Sequence, residues 1–377
     1  MGMKRLMLPV LAAVLALAVL GNPAQAKTLK IGSLSPLTGP YAADGNDIAN
    51  GVRAAIAATL AEGGIPGFDK IELLAEDSAC DPRQAVAAAN KLINEQVAGV
   101  VGAYCSSATI PASEALAEAK IPMITPASTN EKVTERGLPY MFRICGRDDD
   151  QSVVAVKFMV EQKATSVYIV DDKTTYSQGL ADNVEKKAAP AGLKVLGHEH
   201  VNQGDKDFSA VLTKVKAAGA DFFYVSLQNS ASGALMLIQA KRMGITAKML
   251  AQDAVYHPQL MEIAKEAAEG AFLTFGYTDK ATPEYKAFDA NYSRLGKIGA
   301  YSAYAYDGAT VLLKAIKAAK STDPAKVKAE IMKQDFQGAS KKIKFLENGD
   351  SGSDYIIYVV KGGAFAPYWN PVTNKMF

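Results

Sequence analysis

Two hydroxyl-bearing loops, Cys105-Ser106-Ser107 and Ala127-Ser128-Thr129, are the residues of this chain best suited to hold a ligand. The first follows the apolar run VVGAY and opens an alanine-rich helical pattern, and the second follows IPMIT and Pro126. The first N–H groups of a helix lack intrahelical partners and lie at its positive end, which favours an anion. Ligands of open α/β sheets collect at the carboxyl ends of strands. Two such loops side by side therefore predict a carboxylate-binding corner.

No acid–base machinery accompanies that corner. The chain contains no G-x-S-x-G, H-E-x-x-H, C-x-x-C or phosphate-loop pattern, and its only histidines are His198, His200 and His257. A binding protein rather than an enzyme is expected, without a cofactor. His198 and His200 share one face of a strand and resemble half a metal site. Two ligands with no third nearby do not make one, and no metal is expected. Asp148-Asp149-Asp150 lacks the alternating oxygen ligands of a calcium loop and reads as an acidic helix start.

The elements that must position these residues alternate strand and helix almost without interruption. Strands are expected at Leu29–Leu34, Lys70–Glu76, Gly99–Tyr104 and Pro122–Thr125, then at Ser166–Asp171, Lys194–His200, Asp221–Leu227, Met249–Gln252 and Ala271–Phe275. Helical periodicity fills the intervals, clearest at Ala49–Leu60, Arg83–Glu95, Gln178–Ala188, Phe208–Ala217 and Gly233–Arg242. Such βα units with short loops imply an α/β fold of mainly parallel sheets covered on both faces. A chain of this length more often forms two domains than one.

After Phe275 the pattern changes to three helical stretches, then strands Lys342–Phe345 and Asp354–Lys361 around the turn Glu347-Asn348-Gly349-Asp350. The helices are expected to return to the first lobe and the final strand pair to complete the second. The expected division is 27–146 plus 276–347 for lobe 1 and 147–275 plus 348–377 for lobe 2. Two Rossmann-like lobes would then be joined by a three-segment hinge.

Residues 1–26 read as a secretory signal peptide: Lys4 and Arg5, an apolar run from Leu6 to Leu20, and Ala24-Gln25-Ala26 before Lys27. No cysteine precedes Cys80, so a lipid anchor is not expected, and the mature product is assigned to the periplasm. The 41 basic residues lose Lys4 and Arg5 with the signal, leaving 39 against 39 acidic ones. A neutral chain carries no electrostatic footprint for nucleic acid. In an oxidising compartment Cys80 and Cys105, both near strand ends of one βα region, are the natural disulfide pair, with Cys80–Cys145 and Cys105–Cys145 as alternatives.

Several local patterns recur in a recognisable order: Pro36-Leu37-Thr38-Gly39, Gly51 to Gly63-Gly64-Ile65, Asp77…Cys80-Asp81-Pro82, Cys105-Ser106-Ser107 and Ile124-Thr125-Pro126-Ala127. Asp150-Gln151, Asp171…Tyr176…Gly179-Leu180-Ala181, Asp205-Lys206-Asp207-Phe208 and Glu269-Gly270 continue it. In this order and spacing the chain resembles the leucine/isoleucine/valine-type solute-binding proteins of ABC transporters, with the type I periplasmic binding protein fold. The resemblance spans nearly the whole mature chain. It implies capture of an amino acid, branched-chain or related, in an interlobe cleft. A monomeric binding protein would then deliver that ligand to a membrane ABC permease.

The resemblance also implies roles. Ser106 would hold the ligand α-carboxylate through its hydroxyl and N–H, and Thr129 would touch both carboxylate and ammonium. The Ala127 carbonyl would accept from the ammonium, Tyr176 would cover the ligand, and Asp253 would face the ammonium where the family often has glutamate. Ser33 or Asp44 would line the lobe 1 side. Cys80 and Cys105 match the family's disulfide. Where branched-chain binders carry a second-lobe tyrosine, this chain reads Ser226-Leu227-Gln228-Asn229, which brings Gln228 into the expected site. That departure admits a small carboxylate without an ammonium, such as an aromatic acid, as the alternative ligand. A periplasmic ligand-sensing module is the alternative role.

Overall fold

A strand paired with a parallel neighbour needs a crossover segment to return the chain, and a helix supplies it while covering a face of the sheet. The computed structural model describes residues 27–377, so the expected signal peptide lies outside the described residues. The first run comprises β1 (Thr28–Ser35), α1 (Ala42–Ala61), β2 (Lys70–Asp77), α2 (Pro82–Asn94), β3 (Val100–Gly102), α3 (Ser106–Glu118), β4 (Met123–Thr125), the short α4 (Lys132–Glu135) and β5 (Met141–Arg143). The second comprises α5 (Asp148–Glu161), β6 (Ser166–Asp171), α6 (Thr175–Ala188), β7 (Lys194–His200), α7 (Ser209–Ala218), β8 (Phe222–Ser226), α8 (Ser230–Arg242), β9 (Lys248–Ala251), α9 (Gln259–Ala264) and β10 (Phe272–Gly276). The last comprises α10 (Pro283–Tyr292), α11 (Ser302–Ala319), α12 (Pro324–Met332), β11 (Asp335–Gln337), β12 (Lys342–Lys344), β13 (Tyr355–Lys361), β14 (Ala364–Asn370) and β15 (Lys375–Met376).

These strands form two principal sheets. The first is parallel in the order β2-β1-β3-β4-β5, and the second runs β15-β14-β13-β10-β9-β8-β6-β7. The parallel part of the second, β7-β6-β8-β9-β10, repeats the order of the first with each strand in the corresponding place. Each sheet thus has one point where the strand order reverses, at β1/β3 and at β6/β8. A doubly wound sheet opens a crevice at that point. The chain passes between the sheets after β5, after β10 and between β12 and β13.

Helix α11 packs along α1, with Gly51 at the contact. A Cβ there would stand 2.7 Å from both the Ala305 Cβ and the Ser302 carbonyl oxygen. Helix α1 begins at Ala42, seven residues before the apolar periodicity becomes clear at Ala49. Its first turns carry Asp44, Gly45, Asn46 and Asp47, polar or small residues that mask the helical period. Gly45 is there because any Cβ would meet the Pro36 carbonyl oxygen.

The late strands depart from the expected arrangement. Strand β12 does not join the second sheet but pairs antiparallel with β11 in a separate ribbon. The ribbon is tied to α11 by Asp307, whose carboxylate accepts from the Ala339 and Ser340 N–H groups at 2.8 and 2.7 Å. Of the two expected strands only β13 joins the second sheet, antiparallel to β10; it turns at Gly362-Gly363 into β14, and β14 and β15 complete that edge. Among the described residues no helix is long and apolar enough to cross a membrane.

Cys80 follows β2, Cys105 ends the loop after β3, and the two form a disulfide with Cα atoms 5.5 Å apart. Cys145 is free and buried. The bond closes a loop 25 residues long in sequence, which on chain-entropy grounds stabilises by about 3 kcal/mol. The double substitution Cys80→Ser/Cys105→Ser should lower unfolding free energy by about that amount in urea titrations. A loss well under 1 kcal/mol would contradict the entropic account.

Candidate functional site

The two switch points face each other across the seam between the sheets. On the first side, Ser106 opens α3 directly after the β3 loop and is 1% exposed. The preceding Cys105 places no side-chain cap on the helix. The Ser106 hydroxyl accepts instead from the Asn130 N–H at 3.4 Å, which draws the β4 loop against the helix start. Thr125 and Ser128 stitch that loop further: Thr125 Oγ1 donates to the Ala103 carbonyl at 2.9 Å, and Ser128 Oγ donates to the Tyr104 carbonyl at 2.9 Å. Ala127 is buried between them, with its N–H 3.4 Å from Thr125 Oγ1.

Thr129 is 1% exposed, and its Oγ1 has no hydrogen-bond partner. It lies near the Asp148 carboxyl without meeting hydrogen-bond geometry. A buried hydroxyl left open in this way is a place for a ligand oxygen or nitrogen.

The loop holds its shape through a residue that sequence reasoning assigned no role. Arg143, at the end of β5, is fully buried and spends its donors on the carbonyls of Thr129 at 2.9 Å and Asn130 at 2.8 Å, and on Thr134 Oγ1 at 2.9 Å. Its Nε and Nη2 both reach Asp350 Oδ1, at 2.7 and 2.6 Å. The only prior signal was an arginine in the apolar stretch MFRIC.

On the second side, Asp253 follows β9 and is 2% exposed. It caps no helix. Its Oδ1 accepts from the Tyr176 hydroxyl and from Gln151 Nε2 at 3.0 Å, and its Oδ2 accepts from the Tyr301 hydroxyl at 3.1 Å. All three are neutral donors. Burial pushes the Asp253 carboxyl up from its ordinary value, and these donors only partly offset it. Lys341 lines the same narrow crevice, but its ammonium serves the Gly352 carbonyl and lies 3.9 Å from Asp354.

Gln228 is 4% exposed, and its bonds run through the main chain. Its N–H donates to Asp172 Oδ2 at 2.7 Å, and its carbonyl accepts from the Tyr104 hydroxyl at 3.2 Å. Tyr104 comes from the first side, so this bond crosses the seam. Tyr301 to Asp253, Asn130 Nδ2 to the Thr175 carbonyl at 3.2 Å, and Gln203 to the Tyr41 hydroxyl cross it too. The seam widens at one rim into a cleft of about 720 Å³ lined by Tyr41 and Ser107 from one side and Asp172, Gln203 and Asn229 from the other.

The structure therefore gathers Ser106, Ala127 and Thr129 on one wall and Tyr176, Gln228 and Asp253 on the other. The walls are linked at Asp148, whose N–H donates to the Thr129 carbonyl at 3.0 Å and whose carboxyl feels the charge of Asp253. Tyr104, Gln151, Tyr301 and Arg143 are the additions. Gln151 sat within a flagged motif, whereas Tyr301 comes from the late helices and carried no signal of its own.

Asp44, in the first turn of α1, shares this region: its charge and that of Asp253 both act on Tyr104 and Tyr301. Its Oδ1 is buried without a partner. Burial, then the neighbouring Asp47, pushes its carboxyl from 3.8 up to about 8. An acceptor with no protein donor can meet a donor on a bound molecule.

A profile described as periplasmic binding protein matches residues 28–364. An amino acid binding protein of Pseudomonas aeruginosa is 39% identical over 334 residues, 87% of this chain and 89% of the relative. A leucine-, isoleucine-, valine-, threonine- and alanine-binding protein of the same organism is 36% identical over 88% of this chain and 90% of its own length. Among solved structures, the leucine binding protein LivK of Thermotoga maritima superposes with a TM-score of 0.84 at 32% identity, covering 92% of this chain and 99% of that one.

Two outcomes follow from the site's charges. Replacing Arg143 by Met leaves the buried Asp350 carboxylate only one of its two cationic partners, Arg147, and takes a donor from the Thr129 and Asn130 carbonyls. It should cost about 3 kcal/mol of stability in urea unfolding. A change below 1 kcal/mol would mean the loop stands without the guanidinium. Asp44 ionises near 3.8 when unfolded but only near 8 when folded. The ligand-free protein should therefore lose stability as pH rises between those values, then level off. Asp44→Asn should flatten that slope and be the more stable form at pH 8, which melts at several pH values would test.

Proposed function

The chain belongs to the periplasmic binding protein family, and from that premise we propose that it captures an α-amino acid between its lobes for an ABC permease. The observation that carries the ligand class is Asp253: a buried carboxylate at the seam whose three protein partners are all neutral. A buried charge costs several kcal/mol unless it is paired. An ammonium on the ligand supplies the missing pair.

On this reading Ser106, by hydroxyl and helix-start N–H, and Thr129 take the α-carboxylate. Asp253 and the Ala127 carbonyl take the ammonium, while Tyr176 covers it and holds the aspartate in place. Gln228 borders the side-chain end, and Asp44 offers an acceptor to side chains that carry a hydroxyl or amine. Lobe 1 comprises 27–146 and 276–347, and lobe 2 comprises 147–275 and 348–377, behind a cleaved signal peptide of residues 1–26. The cycle is binding and release. In the open form each wall faces water. A ligand that touches both walls binds the closed form better and shifts the population by that difference.

An aromatic or aliphatic acid without an ammonium would keep Ser106 and Thr129 but leave Asp253 only a hydroxyl to accept. Thermal-shift titration of amino acids beside the matching deaminated acids separates the two, since a bound ligand raises the melting temperature. We expect the amino acids to raise it, branched-chain ones and threonine among them. Calorimetry should then show Asp253→Ala weakening the best ligand at least about tenfold, the scale of one charge-assisted bond in a desolvated site. Stabilisation by the deaminated acids, or unchanged affinity in the variant, would overturn the zwitterion reading.

A further inference from the structure

His198 and His200 acquire in three dimensions the third ligand that their sequence neighbourhood lacks. Strand β7 is the edge strand of the second sheet and runs parallel to β6, with Asp171 in register opposite His200 and Ile169 opposite His198. Residues two apart on a strand share a face, and so do registered partners on the neighbouring strand. The two imidazoles and the Asp171 carboxylate therefore converge. His198 Nε2 lies 2.7 Å and His200 Nδ1 2.6 Å from the same atom, Asp171 Oδ2, and the three are within 4.8 Å of one another.

The rest of the Asp171 side chain is already committed. Its Oδ1 accepts from the Lys173 N–H at 2.7 Å, so Oδ2 is left to the two rings. The far nitrogen of His198, Nδ1, lies 2.8 Å from Glu185 Oε2 on α6. A carboxylate behind a ligating histidine fixes the ring and its tautomer, and leaves the other nitrogen's lone pair pointing forward. The Asp171 side chain is buried and that of His200 is 40% exposed. That combination gives a rigid anchor on the inner side and an open path, with room for water, on the outer.

We propose that Asp171, His198 and His200 bind a first-row divalent transition ion, with water in the remaining position and Glu185 holding His198 from behind. Two imidazole nitrogens and one carboxylate oxygen suit zinc, cobalt, nickel or copper far better than magnesium or calcium, which prefer oxygen alone. Three protein ligands plus water is the usual number for an open zinc site. The ion would clamp the carboxyl end of β6 to the edge strand, one residue before Asp172, which holds the Gln228 N–H. The site shares no residue with the proposed amino-acid pocket and does not depend on it.

The test uses purified protein free of any histidine tag and stripped with chelator. Calorimetry with Zn²⁺ should give one ion per chain, and Co²⁺ should develop the visible absorption of a low-coordinate N/O site. His198→Ala and His200→Ala should each weaken Zn²⁺ binding at least about tenfold, and Glu185→Gln by about tenfold as a residue behind the ligand. Glu199→Gln is the control, because Glu199 pairs with Lys214 rather than with the cluster. Circular dichroism melts confirm that each variant is folded. Absence of saturable binding, or binding unchanged in the folded His198→Ala/His200→Ala double variant, would reduce the cluster to a hydrogen-bonded ion network and end the proposal.

Discussion

The guanidinium of Arg143 is the contact on which the geometry of the first wall rests. The loop after β4 must run deep in the protein to bring Thr129 to the seam, and in doing so it buries its carbonyls. Buried carbonyls need donors. No strand is available to supply them, because β4 ends at Thr125 and β5 at Arg143 itself. A single side chain with five donors in a fixed fork does the work of a missing strand edge. Its own charge is met by Asp350, in the last segment to cross between the sheets, where residue 350 makes an isolated bridge to 143. The same side chain thus ties the β4 loop to a crossing segment, so the wall's shape and the hinge's position are set together.

The second wall obeys the opposite logic. There the charge, Asp253, is surrounded by donors that carry none, and Asp44 across the seam has no donor at all on Oδ1. Both carboxyls are pushed up by burial, which is the cost of closing the lobes over them without a cation. Asp350, by contrast, is compensated within the chain by Arg143 and Arg147. Asp307, away from the seam, has only neutral partners too, but both of its oxygens are bonded, whereas Asp44 Oδ1 at the seam is left open.

Much of the fold was legible because burial on both faces writes long apolar runs. Strand 166–171 falls where such a run does, to the residue, and the edge strand 194–200, with no residue fully buried, keeps its expected bounds as well. Helix α1 was legible only from Ala49 on, since its first turns carry Asp44, Gly45 and Asp47, with Asp47 bonded to Tyr292 and Ser302 and Gly45 against Pro36, rather than a repeat of alanine and isoleucine. The β12 strand was placed in the wrong sheet because nothing local says that Asp307, more than thirty residues earlier, will fold its neighbours back. Within the proposed site, Ser106 and Thr129 stand after strands, which is what marks them in the sequence. Tyr301, Tyr104 and Arg143 do not, because an apolar-looking aromatic or a lone arginine acquires its role only from partners distant in sequence. Asp171 and the histidine pair fail for the same reason: their convergence is a property of strand pairing.

The seam also bears on how the lobes respond to ligand. The bonds that cross it, Tyr104 to Gln228, Tyr301 to Asp253 and Asn130 to Thr175, join at least one neutral group in every case. A neutral hydrogen bond that replaces two bonds to water contributes only about 1 kcal/mol net. A few of these, set against the desolvation of Asp253 and Asp44, are a weak drive to closure on their own. A ligand bringing one charge to each wall can then dominate the balance, because a two-state equilibrium moves only by the difference in affinity between its states. Stronger seam contacts would close the lobes without cargo, and weaker ones would reduce the affinity for it. Neutral donors resting on a buried carboxylate occupy the middle ground: they make closure possible and leave its completion to the ligand.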